Sequence, residues 1–413
     1  MMNAEIITIG DELLIGQTID TNSVYLAKKL EEIGIRVSRK TAISDSKSDI
    51  LEMLHSAQQR VDLLIITGGL GPTKDDITKN TLVEYFNCGW RTDQSVFMHL
   101  AKIFATRGRA LLETNKIQAE LPDICVTLHN EVGTAPGMLF NENKKIVISL
   151  PGVPNEVHYL TEFEVLPKLQ QFFNLPKVEH RTLVTLMVPE SLLSKQLEAF
   201  ESSLPEDLSL AYLPSYNCVK LRLSCKVLQK SENYLNDYFQ KLQKAAAPYV
   251  FCIGDETPAN FIGNYLIKNN LSIATAESCT GGFIVNQLVQ VPGISEILPG
   301  SILSYSNSVK HEELNVPQET IHTYGAVSEE VAVAMVDGVC AKFGVNIGIA
   351  TTGIAGPTGG SPEKPVGLIF IAVRYNEKIL VNKFKLHGSR LQFMERANNC
   401  AMAMVKEILE IKE

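Results

Sequence analysis

The chain lacks several features that mark whole classes of protein. Its eight cysteines include no CxxC pair, which favours reduced thiols in an intracellular protein over a disulfide framework. No apolar run approaches the length of a membrane-spanning helix. A formal net charge of -8 argues against a nucleic-acid-binding surface. Because no basic segment precedes the first apolar run, we expect a cytoplasmic protein that does not bind membranes.

The residues that are present are typical of a multidomain α/β protein. The 413 residues are 45% hydrophobic and 20% charged, an ordinary globular balance with enough apolar side chains for more than one core. In the first third, β-rich apolar runs alternate with helical periodicity. This alternation predicts a doubly wound parallel sheet with ligands at the carboxyl ends of its strands. The predicted strands are residues 4–9, 36–42 and 61–67, and the predicted helices are residues 22–33, 48–59 and 77–86.

A glycine-rich loop follows the predicted strand at residues 61–67. Glycines allow the backbone to approach a phosphate group, and Lys74 could neutralise it. Asp75 and Asp76 instead suit a divalent cation that bridges phosphate oxygens. The alternative is a tight strand-to-helix turn in which Asp75 or Asp76 caps the next helix. The glycines of this predicted phosphate site are Gly68, Gly69 and Gly71.

A second loop follows the first predicted strand and carries two carboxylates, Asp11 and Glu12. Neighbouring strands of a parallel sheet end at the same edge, so both side chains could complete a metal site with Asp75 and Asp76. The pairing of the two loops favours a binding site over a plain turn. The sequence alone leaves open which carboxylate binds metal and which orients water.

The last third carries a turn that is typical of nucleophilic catalysis. Ser278 follows a predicted strand at residues 272–276 and precedes a predicted helix at residues 281–289. No His–Asp pair accompanies it, but Lys310 could act as the base if burial lowers its pKa. Tyr305 could relay a proton or orient the serine.

Each of these residues also has a plainer interpretation. Ser278 could be only the N-cap of the helix, and Lys310 only a solvated helix residue. Cys279 is the rival nucleophile, since a helix N-terminus also lowers a thiol pKa. Glu277 could cap, orient a neighbour or be exposed. The residues expected to bind the substrate or an oxyanion are Thr280, Gly281, Gly282, Asn307, Gly353 and Gly356.

Changes in the order of predicted strands and helices divide the sequence into three predicted domains. These are an α/β domain at residues 1–176, a small α+β domain at residues 177–255, and a second α/β domain at residues 256–413. The middle segment contains no glycine between Pro176 and Cys252. It therefore lacks the GxxG loop with which KH domains bind RNA, and we expect it to connect the other domains or to dimerise.

The segments GDELLIGQTIDTNS, TGGLGPTKDDITK, GTAPG and LPGVPNE resemble the N-terminal domain of the CinA (competence/damage-inducible) family. That domain is similar in fold to the MoaB/MogA molybdopterin-binding proteins. The resemblance implies a metal-dependent ADP-ribose pyrophosphatase that uses Mg, Mn or Co. It also implies that Asn155 contacts the substrate.

The segments AESCTGG, YSNSVK, GAVSEEVA, TTGIAGPTGG and KPVG resemble the C-terminal CinA domain, the nicotinamide-nucleotide amidohydrolase (PncC) family. This resemblance implies metal-free hydrolysis of nicotinamide mononucleotide to the acid and ammonia. Ser278 would be the nucleophile and Lys310 the base, with assistance from Tyr305 and Arg390. Met394 stands where the family often has a second basic residue, a departure that concerns only the phosphate contacts.

The family resemblance also implies a KH-like middle domain and a homodimer. Two other functions remain open from the sequence. One is a binding or regulatory protein associated with competence or DNA damage, and the other is a molybdopterin-binding role for the first domain.

Overall fold

The protein is described by a computed structural model that covers residues 2–73, 76–106, 108, 117–142, 145–173, 177–227 and 233–411. The chain forms two compact units. One comprises Met1–Glu179 with Lys226–Lys230, and the other comprises His180–Cys225 with Ser231–Glu413. The predicted middle and last domains thus fall mostly in one unit, and the three-domain division stays a prediction.

The first unit is built on a six-stranded sheet with the strand order β2-β1-β3-β8-β7-β6. Strands β2, β1, β3 and β8 are parallel, while β7 and β6 are antiparallel. The bounds are β1 Asn3–Ile9, β2 Arg36–Ile43, β3 Leu63–Thr67, β4 Trp90–Thr92, β5 Glu120–Pro122, β6 Val126–Leu128, β7 Gly137–Glu142 and β8 Lys145–Leu150. Strands β4 and β5 form a separate antiparallel ribbon.

The parallel sheet predicted from the sequence therefore has an antiparallel edge. Strand β7 pairs antiparallel with β8 because only two residues connect them, whereas a parallel crossover needs a dozen or more residues. Helices cover both faces of the sheet through two apolar cores. The helices are α1 Asp11–Leu14, α2 Thr21–Glu32, α3 Lys47–Arg60, α4 Thr78–Tyr85, α5 Gln94–Thr106, α6 Pro154–Leu160 and α7 Leu166–Phe172, the last two joined by a π-helical segment at Thr161–Val165.

The second unit begins with a four-stranded sheet in the order β10-β11-β9-β12. Val184 and Phe251 of this sheet belong to the same buried cluster as Ile262 and Val405 of helices that follow later in the chain. The middle sheet therefore shares its core with the last third. Its elements are β9 Lys177–Leu186, α8 Glu190–Ser202, β10 Leu208–Ser215, β11 Cys218–Val227, α9 Asn233–Ala246 and β12 Val250–Ile253.

The rest of the second unit is a five-stranded sheet in the order β14-β13-β15-β16-β17. The first three strands are parallel and the last two antiparallel. Its strands are β13 Ile273–Glu277, β14 Gly300–Leu303, β15 Ile347–Gly353, β16 Leu368–Tyr375 and β17 Lys378–Lys385. Its helices are α10 Pro258–Lys268, α11 Phe283–Leu288, α12 Asn307–Leu314, α13 Gln318–Tyr324, α14 Glu329–Phe343 and α15 Arg390–Ile408.

Helix α14 packs on one face of this sheet, and α10, α11 and α15 pack on the other. Helix α13 was not predicted, because none of its seven residues is buried and it therefore shows no apolar period. Within the described ranges, no helix is both long enough and apolar enough to cross a membrane.

Candidate active sites

Ser278 lies in a tight turn between β13 and α11. Its N–H donates to the Thr351 carbonyl oxygen at 3.1 Å, which fixes the turn to β15. Only 9% of the Ser278 surface is exposed. Helix α11 has Gly282 as its N-cap residue, with φ of 88° and no side-chain cap. Ser278 is therefore not the helix cap that the plainer interpretation supposed.

Lys310 reaches the turn from α12, 32 residues further along the chain. Its Nζ lies 3.0 Å from Ser278 Oγ and 2.6 Å from the Ser304 carbonyl oxygen. The side chain is buried, with 1% exposed, so it is not a solvated helix residue. Burial disfavours the charged amine and lowers the pKa of Lys310 from its ordinary value. A buried amine with a lowered pKa beside a hydroxyl is the arrangement of a Ser–Lys dyad.

Cys279 is buried behind the same turn. Burial raises the pKa of its thiol to about 12, because the low-dielectric surroundings disfavour the thiolate. The thiol is therefore protonated near neutral pH. A protonated, buried thiol is a poor nucleophile, and the rival assignment loses its chemical basis.

Glu277 holds the turn and the start of α11 together. Its fully buried carboxylate accepts hydrogen bonds from the N–H groups of Gly282 at 3.1 Å, Ile284 at 3.1 Å and Val285 at 2.8 Å. Gly281 N–H donates to the Ser278 carbonyl oxygen. The expectation that the N–H groups of Gly281 and Gly282 bind an oxyanion is corrected by these contacts, because both donors already have acceptors.

Thr280 and Gly353 have structural contacts. Thr280 is fully buried, and its hydroxyl shares a hydrogen bond of 2.7 Å with that of Thr351. A β-carbon built on Gly353 would lie 2.5 Å from the Leu368 carbonyl oxygen, so the close approach of β16 requires glycine there. Gly356 is buried with φ of 80°. Asn307 is exposed at the first position of α12.

Tyr305 and Arg390 meet at the surface. Arg390 Nη2 lies 3.3 Å from the Tyr305 hydroxyl, and both side chains are exposed. Ser389 and Gln392 form a capping box that begins α15 and fixes the position of Arg390. Gln392 Nε2 also donates to the Tyr216 hydroxyl at 3.2 Å. Tyr216 lies in the turn between β10 and β11, and no motif in the sequence indicated this contact.

The first unit has a cavity of about 560 Å³ where β1, β3 and β8 end. Its wall includes the predicted phosphate-binding glycines and the carboxylates of Glu12 and Asp76. Asp76 does not cap α4, whose N-cap is Ile77. Its carboxylate instead accepts from Thr73 N at 2.9 Å. The predicted residues Lys74 and Asp75 lie outside the described residues. The glycines in the wall are Gly68, Gly69 and Gly71.

Asp45 is a carboxylate of this cavity that no sequence motif predicted. It follows β2, the neighbour of β1 in the sheet, and its Oδ2 accepts from Asp11 N at 3.1 Å. Burial raises the pKa of Asp45, and the nearby negative charges of Asp11, Glu12 and Asp76 raise it further. Negative neighbours destabilise the ionised form of a carboxylate, and a bound cation stabilises that form.

The cavity wall differs from the sequence prediction at two further positions. Asp11 is exposed, and it is Glu12, not Asp11, that lines the cavity. Asn155 is exposed outside the cavity, whereas the next residue, Glu156, lines it. The helical geometry of α6 explains the second difference, because successive residues of a helix point in different directions.

The donor set fits a magnesium-type ion bound together with its substrate. No group of three His, Cys, Asp or Glu side chains converges on one point in the described part of the chain. Such an ion commonly uses one or two carboxylates, with waters and substrate phosphate oxygens as its other ligands. Gln118, which also lines the cavity and is 4% exposed, has an unpaired Oε1 among the described residues. A buried, unpaired polar atom of this kind indicates a site for water or a ligand.

Two family models match separate parts of the chain. A model described as a probable molybdopterin binding domain matches residues 5–171, and the CinA C-terminal domain matches residues 255–409. The CinA-like protein of Flavobacterium psychrophilum is 44% identical over 99% of each chain. That of Cytophaga hutchinsonii is 43% identical over 94% of this chain and 93% of its own. The crystal structure of the competence/damage inducible protein CihA from Agrobacterium tumefaciens is 34% identical, covers 37% of this chain and 93% of its own, and gives a TM-score of 0.36.

Proposed function

Because the chain belongs to the CinA family, we propose that its Ser278–Lys310 pair hydrolyses nicotinamide mononucleotide to nicotinate mononucleotide and ammonia. The observation that carries the proposal is the buried contact of 3.0 Å between Lys310 Nζ and Ser278 Oγ. An aliphatic hydroxyl is a weak nucleophile without an adjacent base. A buried lysine supplies that base without a metal or cofactor.

The reaction proceeds through an acyl-enzyme. Neutral Lys310 takes the proton of Ser278 while Oγ attacks the amide carbon. The protonated Lys310 then gives this proton to the amide nitrogen, the C–N bond breaks and ammonia leaves. Water next attacks the ester, with Lys310 again as the base, and releases the carboxylate. The N–H groups of Cys279 and Thr280 are the proposed oxyanion donors. Among the described residues, neither N–H donates to a backbone carbonyl oxygen.

Arg390 and Tyr305 are proposed to bind the nucleotide phosphate. Both side chains are exposed and lie 3.3 Å apart, and a guanidinium group binds phosphate oxygens in a bidentate manner. Asn307 begins α12, the helix that carries Lys310, and is proposed as a further substrate contact.

The test is ammonia release from nicotinamide mononucleotide by the purified full-length protein. The wild type is expected to release one ammonia per nicotinate mononucleotide formed, in the presence of a chelator. Ser278→Ala is expected to abolish the release. A Ser278→Ala protein that still deamidates the mononucleotide would show that the dyad is not the catalyst.

A second activity is proposed for the first unit, on the observation that Glu12, Asp45 and Asp76 line one cavity together with a glycine loop. This activity is hydrolysis of ADP-ribose to AMP and ribose 5-phosphate. Asp45 and Asp76 would hold a divalent cation such as Mg, Mn or Co, with the carboxylates of Glu12 and Asp11 nearby and Asp75 as a further ligand. When bound, the ion would neutralise charge on the pyrophosphate.

The chain's own groups would orient the pyrophosphate. The glycine loop offers backbone N–H groups, and Lys74 offers a cation. This activity is tested by incubating the protein with ADP-ribose and Mn²⁺ and measuring the AMP formed by chromatography. A wild type that forms no AMP while it still deamidates the mononucleotide would leave the molybdopterin-binding role as the better account of the first unit.

A homodimer in the cytoplasm, without nucleic-acid or membrane partners, completes the proposal. Light scattering at micromolar concentration tests the dimer. The rival function is a regulatory protein of competence or DNA damage. It would be favoured if neither nucleotide were turned over.

A further inference from the structure

We infer that Glu156 is the general base of the first unit, which takes a proton from the water that attacks the substrate's phosphorus. The inference rests on the proposed ADP-ribose hydrolysis and assigns one carboxylate of the cavity to water rather than to metal. Glu156 lies in the first turn of α6 and lines the cavity.

The structure makes room for the Glu156 carboxylate in the cavity wall. A β-carbon built on Gly133 would lie 2.1 Å from Glu156 Oε1 and 2.2 Å from its Cδ. Any residue other than glycine at position 133 would therefore displace the carboxylate. The loop before β7 therefore packs directly against the Glu156 side chain at the start of α6.

Only one of the two Glu156 oxygens has a hydrogen-bond donor within the described residues. Asn130 Nδ2 donates to Oε2 at 3.0 Å. Asn130 is itself fixed, because its amide also donates to the Ala135 carbonyl oxygen at 2.8 Å and its Oδ1 accepts from Val132 N at 3.2 Å. The asparagine orients the carboxylate and leaves Oε1 to accept a hydrogen bond from water.

Glu156 differs from the other carboxylates of the cavity in its electrostatic surroundings. Asp11, Glu12 and Asp76 raise the pKa of Asp45, so these four groups form one cluster of negative charge. Burial alone raises the pKa of Glu156, and the Asn130 hydrogen bond opposes it. The four-carboxylate cluster suits a cation, whereas an isolated carboxylate with a raised pKa suits proton abstraction from water.

The reaction balances with water as the only co-reactant. The water oxygen forms a bond to one phosphorus atom of the pyrophosphate as its proton passes to Glu156. The bond from that phosphorus to the bridging oxygen breaks, and the second phosphate leaves. Glu156 returns the proton to the leaving phosphate or to solvent, and the products are AMP and ribose 5-phosphate.

The test compares Glu156→Gln with Glu131→Gln in the full chain. Glutamine preserves the size of Glu156 and an acceptor for Asn130, but it cannot take a proton. Glu131 is an exposed glutamate on the neighbouring loop that does not line this cavity, and its variant is the matched control. The measurements are kcat and KM for ADP-ribose with Mn²⁺, the pH profile of kcat, and Mn²⁺ and ADP-ribose binding by calorimetry.

Glu156→Gln is expected to lower kcat by about 10²- to 10⁴-fold, the usual contribution of a general base. The acidic limb of its pH profile should disappear, while binding of Mn²⁺ and ADP-ribose and the behaviour of Glu131→Gln match the wild type. A kcat within a few-fold of the wild type would overturn the assignment, as would a parallel loss of Mn²⁺ binding. Absence of wild-type hydrolysis would instead refute the proposed activity itself.

Discussion

Lys310 Nζ lies closer to the Ser304 carbonyl oxygen, at 2.6 Å, than to the Ser278 hydroxyl, at 3.0 Å. A carbonyl oxygen can only accept, so the amine must direct one of its N–H groups towards it. In the neutral amine this contact helps to aim the nitrogen lone pair at the Ser278 proton. Ser304 thus positions the base through its backbone.

The deamidation rate should rise with pH. Lys310 acts as a base only when neutral, and it is neutral above its pKa. Since burial lowers that pKa, the rising limb should fall below the ordinary lysine value of about 10.4. A pH profile of kcat/KM for nicotinamide mononucleotide measures the limb. A limb at or above the ordinary lysine value would argue that another group is the base.

Removal of either dyad residue should abolish deamidation. Ser278→Ala and Lys310→Met are each expected to lower kcat by at least about 10³-fold, because the two groups act as one unit. Cys279→Ala is the matched control in the same turn and should stay within a few-fold of the wild type. If Cys279→Ala were the inactive variant, the thiol would have to be the nucleophile. Circular dichroism of all three variants checks the fold.

Arg390→Ala should weaken substrate binding more than chemistry. Loss of a charge-assisted hydrogen bond of about 1.5–3 kcal/mol corresponds to a KM about ten- to a hundredfold higher. Arg374→Ala is the control, since Arg374 is paired with Asp337 and lies opposite Gly348, towards the other end of β15. A fall in kcat at unchanged KM would place Arg390 in the chemical step instead.

Glu277→Gln should lower both stability and deamidation. The buried carboxylate accepts three backbone N–H groups at the start of α11, and an amide offers only one acceptor oxygen. The expected loss in free energy of unfolding is about 1–3 kcal/mol, measured by urea denaturation. Unchanged stability would mean that the turn holds its shape without the carboxylate.

Chelation should separate the two activities. EDTA is expected to stop ADP-ribose hydrolysis and to leave deamidation unchanged, since the dyad uses no metal. Asp45→Asn and Asp76→Asn should each raise the Mn²⁺ concentration needed for half-maximal AMP formation. Asp11→Asn should have a smaller effect, because Asp11 is exposed outside the cavity wall. Equal effects of all three variants would argue against the assigned ligand set.

Periodicity predicted the elements well where one face of an element is buried. Helices α2 at Thr21–Glu32 and α3 at Lys47–Arg60 begin and end within one residue of the predicted ranges 22–33 and 48–59. Helix α13 was missed because five of its seven residues are exposed and the other two are only partly buried. Apolar spacing carries information only about burial, and α13 contributes only the partly buried Ile321 to the core.

Site residues could be predicted from the sequence where they belong to a recognisable motif. Ser278 and Lys310 were named from the sequence, and the structure brings them together. Asp45 was missed because a single aspartate after a strand is no pattern; it joins the cavity only because β2 lies beside β1. The glycine N–H donors were misassigned because that of Gly282 binds the Glu277 carboxylate and that of Gly281 binds the Ser278 carbonyl oxygen. Contacts made across a turn cannot be read from residue types alone.

The shared core of β9–β12 with α10 and α15 has a consequence for how the second unit comes apart. Val184 and Phe251 pack in one cluster with Ile262 and Val405, so neither side keeps its apolar surface covered without the other. Heat or denaturant should then melt the middle sheet and the deamidation site in a single cooperative transition. If residues 1–255 and 256–413 are produced as separate proteins, each exposes its part of this shared apolar surface to water, and both should aggregate.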